Sequence, residues 1–179
     1  MTPQQRFPGN TIHHTAIIAE GVTMGKGNYI GPYCVIGYPP ESRDHFNTIG
    51  LVEIGNDNTF TKQVTIDSGT VGLTIVGDNC WMLKNAHVGH DAFIDDYVTL
   101  ACNAMVGGWS KVRQHSNLGL GAAVHQRVSI PEWVMVGMNS TITKTTDCQA
   151  FTKYAGSPAR AIGDNLQFYY RWLKDNEPQ

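Results

Sequence analysis

Residues 85–91 read NAHVGHD, with His87 and His90 three apart and Asp91 directly after the second histidine. Three roles fit these residue types. An imidazole beside a carboxylate can act as a general base, two histidines and an aspartate can hold a metal, and two histidines can simply lie in solvent. The spacing inside the heptapeptide does not choose among them; the repeat that contains it does.

An apolar residue recurs every six positions from Ile12, through Ile18, Met24, Ile30 and Ile36. The register resumes at Ile54, Phe60 and Ile66, shifts by a four-residue insertion around residues 70–73, and then runs unbroken from Val76 to Ile142. Glycine often follows the apolar position, as at Gly25, Gly31, Gly55, Gly89, Gly107 and Gly119, where a chain turning a tight corner would use it. A period of six fits neither a helix nor a simple strand. It predicts an all-β fold of short parallel strands joined by corners, with one inward side chain per strand, coiled into a prism of three strands per turn. Residues 18 apart then stack about 4.8 Å apart.

In this register Val88 points inward, so His87 and His90 face outward or sit at a corner. One coil on, Gly108 overlies His90 and Trp109 overlies Asp91; a further coil on stand Gln126 and Arg127. A histidine, an adjacent carboxylate and a corner without a side chain above them suit general-base catalysis of acyl transfer. In that reading His90 takes a proton, Asp91 orients it, and the Gly108 N–H faces a developing oxyanion; a corner histidine lying in solvent fits the stacking equally well.

The chain carries 13 Lys plus Arg against 15 Asp plus Glu with no basic run, which argues against a nucleic-acid partner. Cys34, Cys80, Cys102 and Cys148 form no CxxC pair and read as buried free thiols of a reducing compartment. No apolar run suits a secretion signal or a membrane span, so a cytoplasmic protein is expected. Two segments leave the repeat: a polar excursion at 38–51, YPPESRDHFNTIGL, and a tail from Asp164 whose Leu166, Tyr169, Tyr170 and Leu173 mark an amphipathic helix. The expected division is a β-helix domain at 1–150 and a tail at 151–179, its helix capping the open end.

The stretches HHTAIIAEGVTMG, IGPYCVIG, VEIGNDN, VTIDSGTV, NAHVGHD, GAAVHQRVSI and VMVG resemble the acyl-ACP–UDP-N-acetylglucosamine O-acyltransferase family of lipid A synthesis, within the hexapeptide-repeat acyltransferases. The resemblance implies a left-handed parallel β-helix and a homotrimer with active sites between subunits. It also implies a donor thioester, acyl-ACP or acyl-CoA, as co-substrate, with no bound cofactor and no metal. By the same resemblance His90 is the general base with Asp91 beside it, and Gly108 supplies the oxyanion hole. His87, His125 and Gln126 line the substrate site, and Asn165 and Arg171 contact a nucleotide. Met138, stacked over Leu120, Cys102 and Lys84, stands at the residue that sets acyl-chain length.

The departures bear on the acceptor. A substrate-contacting aspartate and lysine of the family are here Ser42 and Asp44, a substrate-lining histidine is Trp109, and a second nucleotide-contacting arginine is Trp172. Relative to the family about two coils and most of a C-terminal helical domain are missing. GSPARAIG also resembles the ending of acetyl-CoA-dependent sugar acetyltransferases, so an amino-sugar N-acetyltransferase is the nearest rival. A zinc-dependent β-helical carbonic anhydrase would need a histidine five after His90, where Asp95 stands. A non-catalytic trimeric scaffold would have no use for His90, Asp91 and Gly108 together.

Overall fold

The structure, a computed structural model, describes residues 1–48 and 50–176. The chain winds into a left-handed parallel β-helix of about eight turns. Three sheets form the faces of the prism. The first sheet includes Trp81–Met82 and Thr99–Leu100, the second His87–Val88 and Met105–Val106, the third Phe93–Ile94 and Lys111–Val112. Within each face the pairing runs Trp81 to Thr99, His87 to Met105 and Phe93 to Lys111, the 18-residue stacking that the period requires. The four-residue insertion shows as an offset of 22 where Thr65 pairs with His87. The excursion is absorbed between Val35–Tyr38 and Leu51–Ile54, so its two end residues already belong to strands.

The inward hexad positions are the core: Ile30, Ile36, Phe60, Met82, Val88, Ile94, Leu100 and Ile142 are fully buried or nearly so. A second inward position lies four residues later. Ala92, Val98, Ala104, Ser110, Ser116, Ala122, Val128 and Val134 are all buried there, as are Asn28 and Asn58 in earlier coils. Its polar members are satisfied, as burial demands: the Ser110 hydroxyl donates to the His125 carbonyl at 3.0 Å and the Ser116 hydroxyl to Pro131 at 2.7 Å. Of the cysteines, Cys34 and Cys80 are buried as expected, while Cys102 and Cys148 are only partly so. Burial pushes the Cys80 thiol up to about 12.

The glycines after the inward position have a different reason from the one the sequence suggested. Most of them do not adopt positive φ; that conformation falls two residues later, at Asp57, Asn79, Asn85, Asp91, Tyr97, Asn103, Trp109, His115, Arg127 and Trp133. What the glycines permit is close stacking of coils. A Cβ on Gly107 would stand 2.6 Å from the Gln126 nitrogen, and one on Gly55 2.8 Å from the Gly77 carbonyl oxygen. Most corners are thus turned by non-glycine residues, with Gly27 and Gly121 taking the same conformation at two of them, while the glycines after the inward position permit the packing of coil on coil.

Both ends differ from expectation. A short helix α1, Pro3–Arg6, opens the chain on a capping box between Thr2 and Gln5. Arg6 donates to the carbonyls of Ile18, Ala19 and Val22, and Phe7 is buried beside it, so the N-terminal end has its own plug. At the other end, strands Thr152–Gly156 and Ala159–Asp164 form an antiparallel hairpin that extends the first sheet. The helix α2, Leu166–Asp175, does not cover the open end. It lies along a corner of the prism, where Trp172 meets His115 and Trp133 edge-on and Tyr169 meets Trp133 and Phe151. No helix among the described residues is long and apolar enough to cross a membrane.

Candidate active site

Between the second and third sheets the chain turns through Gly89, His90 and Asp91 before the strand at Phe93. Asp91 sits at φ 57, a conformation that aspartate tolerates better than most residues. The turn brings its carboxylate back beside the preceding imidazole, with Oδ2 2.8 Å from His90 Nδ1. The Asp91 side chain is 2% exposed and that of His90 19%, so the acid is sheltered and the base is accessible.

A sheltered carboxylate needs donors. Oδ2 also accepts from the Thr70 hydroxyl at 2.7 Å and the Thr70 N–H at 3.0 Å, and Oδ1 from the Gly72 N–H at 2.9 Å. Burial pushes the Asp91 carboxyl up, but these bonds, led by those from Thr70, outweigh it and hold the group below the usual carboxylate range. An ionised carboxylate only accepts, so a neutral His90 ring keeps its proton on Nδ1 and leaves the Nε2 lone pair free.

Gly108 lies against that ring. A Cβ there would come within 2.7 Å of His90 Nε2, a clash that glycine avoids. The coils are tied at this point by Trp109 N–H to the His90 carbonyl and Arg127 N–H to the Gly108 carbonyl, both 2.9 Å. Gly108 is buried, and its N–H makes no hydrogen bond among the described residues. His90 opens into a cavity of about 290 Å³ whose walls include Ser42, His45, Trp109, Gln126 and Arg127. The Trp109 ring stands perpendicular to His90 with centroids 6.3 Å apart, and the Arg127 guanidinium lies over Trp109 at 5.2 Å.

The residues singled out in the sequence therefore divide into groups. His90, Asp91, Gly108, Trp109, Gln126 and Ser42 come together. His125 is exposed outside the cavity wall, its Nδ1 3.0 Å from the Gln126 carbonyl. Asp44 is exposed on the loop and does not line the cavity. His87 stands on the outer face of the second sheet, with Nδ1 2.8 Å from the Thr65 hydroxyl and Nε2 3.8 Å from Asp67. Met138 is 68% exposed at the corner between first and second sheets. Asn165 and Arg171 line a separate cavity of about 300 Å³ under α2, with Tyr97, His115 and Trp133. There Asn165 is buried; its Nδ2 donates to the Trp133 carbonyl at 2.9 Å while its Oδ1 has no partner among the described residues.

Four residues escaped the sequence reading. Thr70 belongs to the four-residue insertion, whose position one coil below Asp91 was the signal. His45 and Val71 enter the cavity wall from the two irregular segments. Asp67 is a buried carboxylate beside His87; burial pushes its pKa up, against the pull of His87. Among the described residues no group of three or more His, Cys, Asp and Glu side chains is placed to hold a metal ion.

No family model matches the chain. Individual proteins do. It is 33% identical over 154 residues to the acyl-ACP–UDP-N-acetylglucosamine O-acyltransferase of Rhizobium leguminosarum bv. trifolii, covering 84% of this chain and 56% of that protein. The enzyme of the same name from Synechocystis is 33% identical over 153 residues, covering 84% of this chain and 55% of its own. The chain thus spans a little over half the length of these relatives. Among solved structures, the UDP-N-acetylglucosamine O-acyltransferase of Moraxella catarrhalis aligns with a TM-score of 0.70 at 28% identity, over 92% of this chain and 76% of that one. In sequence and in fold the chain belongs with the acyl-ACP–UDP-N-acetylglucosamine O-acyltransferases among the hexapeptide-repeat β-helix proteins.

Proposed function

We propose that this protein transfers an acyl group from a thioester, acyl-ACP or acyl-CoA, to a hydroxyl or amine of a sugar nucleotide such as UDP-N-acetylglucosamine. The observation that carries the reading is the His90–Asp91 pair, with Nε2 unpartnered among the described residues beneath Gly108 at a cavity wall. In the reaction His90 Nε2 takes the acceptor's proton as its oxygen or nitrogen bonds to the thioester carbon. Negative charge gathers on the former carbonyl oxygen, where the Gly108 N–H donates. The tetrahedral intermediate then collapses, the C–S bond breaks, and the departing sulfur takes the proton back from the imidazolium. Asp91 orients the ring and stabilises its charged form without itself taking the proton.

Ser42, Trp109 and Gln126 are assigned to the acceptor, and so by the family resemblance are His87, His125 and Asp44, which lie outside the cavity wall. Asn165 and Arg171 are assigned to the nucleotide, in the separate cavity under α2. Met138 is assigned to the acyl chain. These residues occupy three different corners of one prism, which favours a homotrimer in which each site is completed by a neighbouring subunit. The test is a panel of acyl-ACP and acyl-CoA donors of graded length against sugar-nucleotide acceptors, with thiol release and product mass as readouts. A donor–acceptor pair turned over by the wild type and not by His90→Ala supports the reading. Equal turnover by both proteins removes His90 as the base, and no turnover anywhere in the panel removes the transferase assignment.

A further inference from the structure

The four-residue insertion looks at first like slack in the repeat: it lengthens one coil from 18 residues to 22 and adds no inward side chain. Its position contradicts that. The extra residues fall in the coil directly below His90 and Asp91, and they fold so that two successive donors of Thr70 and one of Gly72 converge on a single carboxylate. In addition Thr74 Oγ1, just past the insertion, accepts the Asp91 N–H at 2.8 Å. Both oxygens of Asp91 and its backbone donor are therefore engaged from one segment. Oδ2 is the oxygen that also meets His90 Nδ1, and it receives the Thr70 hydroxyl at 2.7 Å.

We infer that Thr70 is a positioning residue for the reaction: through Asp91 it fixes the rotamer and tautomer of His90, and the insertion exists to bring it there. The inference rests on the reading of His90 as base. A carboxylate held by one imidazole alone can rotate about its Cα–Cβ bond, and the imidazole can turn with it. Thr70 and Gly72, from outside the Asp91 turn, remove that freedom. The two Thr70 donors bind Oδ2, the same oxygen that meets Nδ1–H, and Gly72 binds Oδ1, so both carboxylate oxygens are fixed in place beside the imidazole. The Nε2 nitrogen thereby faces Gly108, where an added Cβ would stand 2.7 Å from it. Thr70 touches no reacting atom in this scheme.

The experiment compares Thr70→Val, which keeps shape and removes the hydroxyl, with Thr70→Ser, which restores it. Partners that orient a reacting group at one remove commonly contribute about 10–100-fold to activity. Thr70→Val is expected to lower kcat by about 10-fold with KM within about twofold of wild type. Thr70→Ser should recover most of that loss. Nitrogen-detected NMR of His90, taken below each variant's melting midpoint, supplies a readout independent of turnover. The wild-type ring should be the Nδ1–H tautomer, and Thr70→Val should shift it toward a mixture that Thr70→Ser reverses. His90→Ala runs alongside. If it is inactive while Thr70→Val keeps wild-type kcat and an unchanged tautomer, the positioning role is overturned and the base stands. If His90→Ala is active, the base reading falls and the role of Thr70 in catalysis falls with it. A loss in Thr70→Val that Thr70→Ser does not relieve, with the tautomer unmoved, also overturns the inference, because it marks a merely structural side chain.

Discussion

Two corners of the prism share one backbone geometry and do opposite things with it. At the corner between second and third sheets, Asp91, Trp109 and Arg127 take the left-handed conformation on successive coils; at the corner between third and first sheets, Tyr97, His115, Trp133 and Phe151 do the same. The second set is filled. Tyr97 stacks on His115 at 4.7 Å and His115 on Trp133 at 4.1 Å, nearly parallel, with Phe151 beyond and α2 laid across them. Beside the first set runs the column His90, Gly108, Gln126, which has no side chain at Gly108, and the gap there holds an imidazole. The difference lies in which positions carry bulk. A hexad repeat fixes the backbone of every corner, and side chains alone decide whether a corner becomes a spine or a site.

If His90 is the base, the largest effect should come from removing it. His90→Ala is expected to lower kcat by on the order of 10²–10⁴-fold while leaving the melting midpoint near wild type, since a positioned base contributes about that much. Trp133→Ala is its counterpart at the filled corner. Trp133 is buried and touches two rings of the ladder and two of α2, so truncation should cost about 3–5 kcal/mol. In a chain of this size that is a fall in Tm of the order of 10 °C, read by calorimetry. A His90→Ala protein that melts early, or a Trp133→Ala protein as stable as wild type, would erase the distinction between the two corners.

Gly108→Ala tests the interruption itself. The added methyl meets the His90 ring, a movable side chain, so the ring must give way. Activity should fall by about 10-fold or more, because a base a fraction of an ångström out of place loses its alignment, while Tm changes little. An active Gly108→Ala enzyme would show that the imidazole does not work from this position.

Much of this was legible in the sequence. The inward positions appear because a period of six is visible in any one coil, and the meeting of His90 with Gly108 follows from stacking by 18. The same arithmetic places Tyr97, His115, Trp133 and Phe151 in one column 18 apart, although nothing in their residue types marks that column as a spine. Other features have no period to betray them. Thr70 reaches Asp91 because an insertion breaks the register, and the excursion turns His45 inward and Asp44 outward through contacts it makes only when folded. The glycines after the inward position answer to the coil above rather than to their own corner, and one coil's sequence does not reveal how close the next one lies.

The two histidine–carboxylate pairs sharpen the contrast through pH. Asp91 is held below the usual carboxylate range, so it contributes stability above about pH 4, where the unfolded carboxyl ionises, and that contribution is lost as pH falls through the lower folded value. Asp67 is raised by burial, so its effect has the other sign: stability is intact below about pH 4 and is lost as pH rises through the raised folded value. At pH 8 Asp91→Asn should therefore lower Tm and Asp67→Asn should raise it slightly, with the two differences shrinking toward acid. An Asp67→Asn protein less stable than wild type at pH 8 would mean that the attraction to His87 outweighs burial.

The third corner, between first and second sheets, is neither spine nor notch, and it carries the smallest expected effect. Lys84, Cys102, Leu120 and Met138 succeed one another along it, with Leu120 47% and Met138 68% exposed. An exposed methionine above an exposed leucine makes a yielding apolar surface, suited to a hydrocarbon chain. If Met138 stops the acyl chain, the wild type should prefer groups of about ten carbons or fewer, since each methylene denied burial forfeits about 0.8 kcal/mol. Met138→Gly opens the path and should shift the preference toward longer chains, by roughly fourfold in relative kcat/KM for each methylene newly accommodated. Stability should barely change, because so exposed a side chain contributes little to the core. Direct competition between ten- and fourteen-carbon donors decides the matter. A wild type that already favours fourteen carbons leaves Met138 as a contact residue, and a preference that Met138→Gly does not alter places the end of the acyl groove elsewhere.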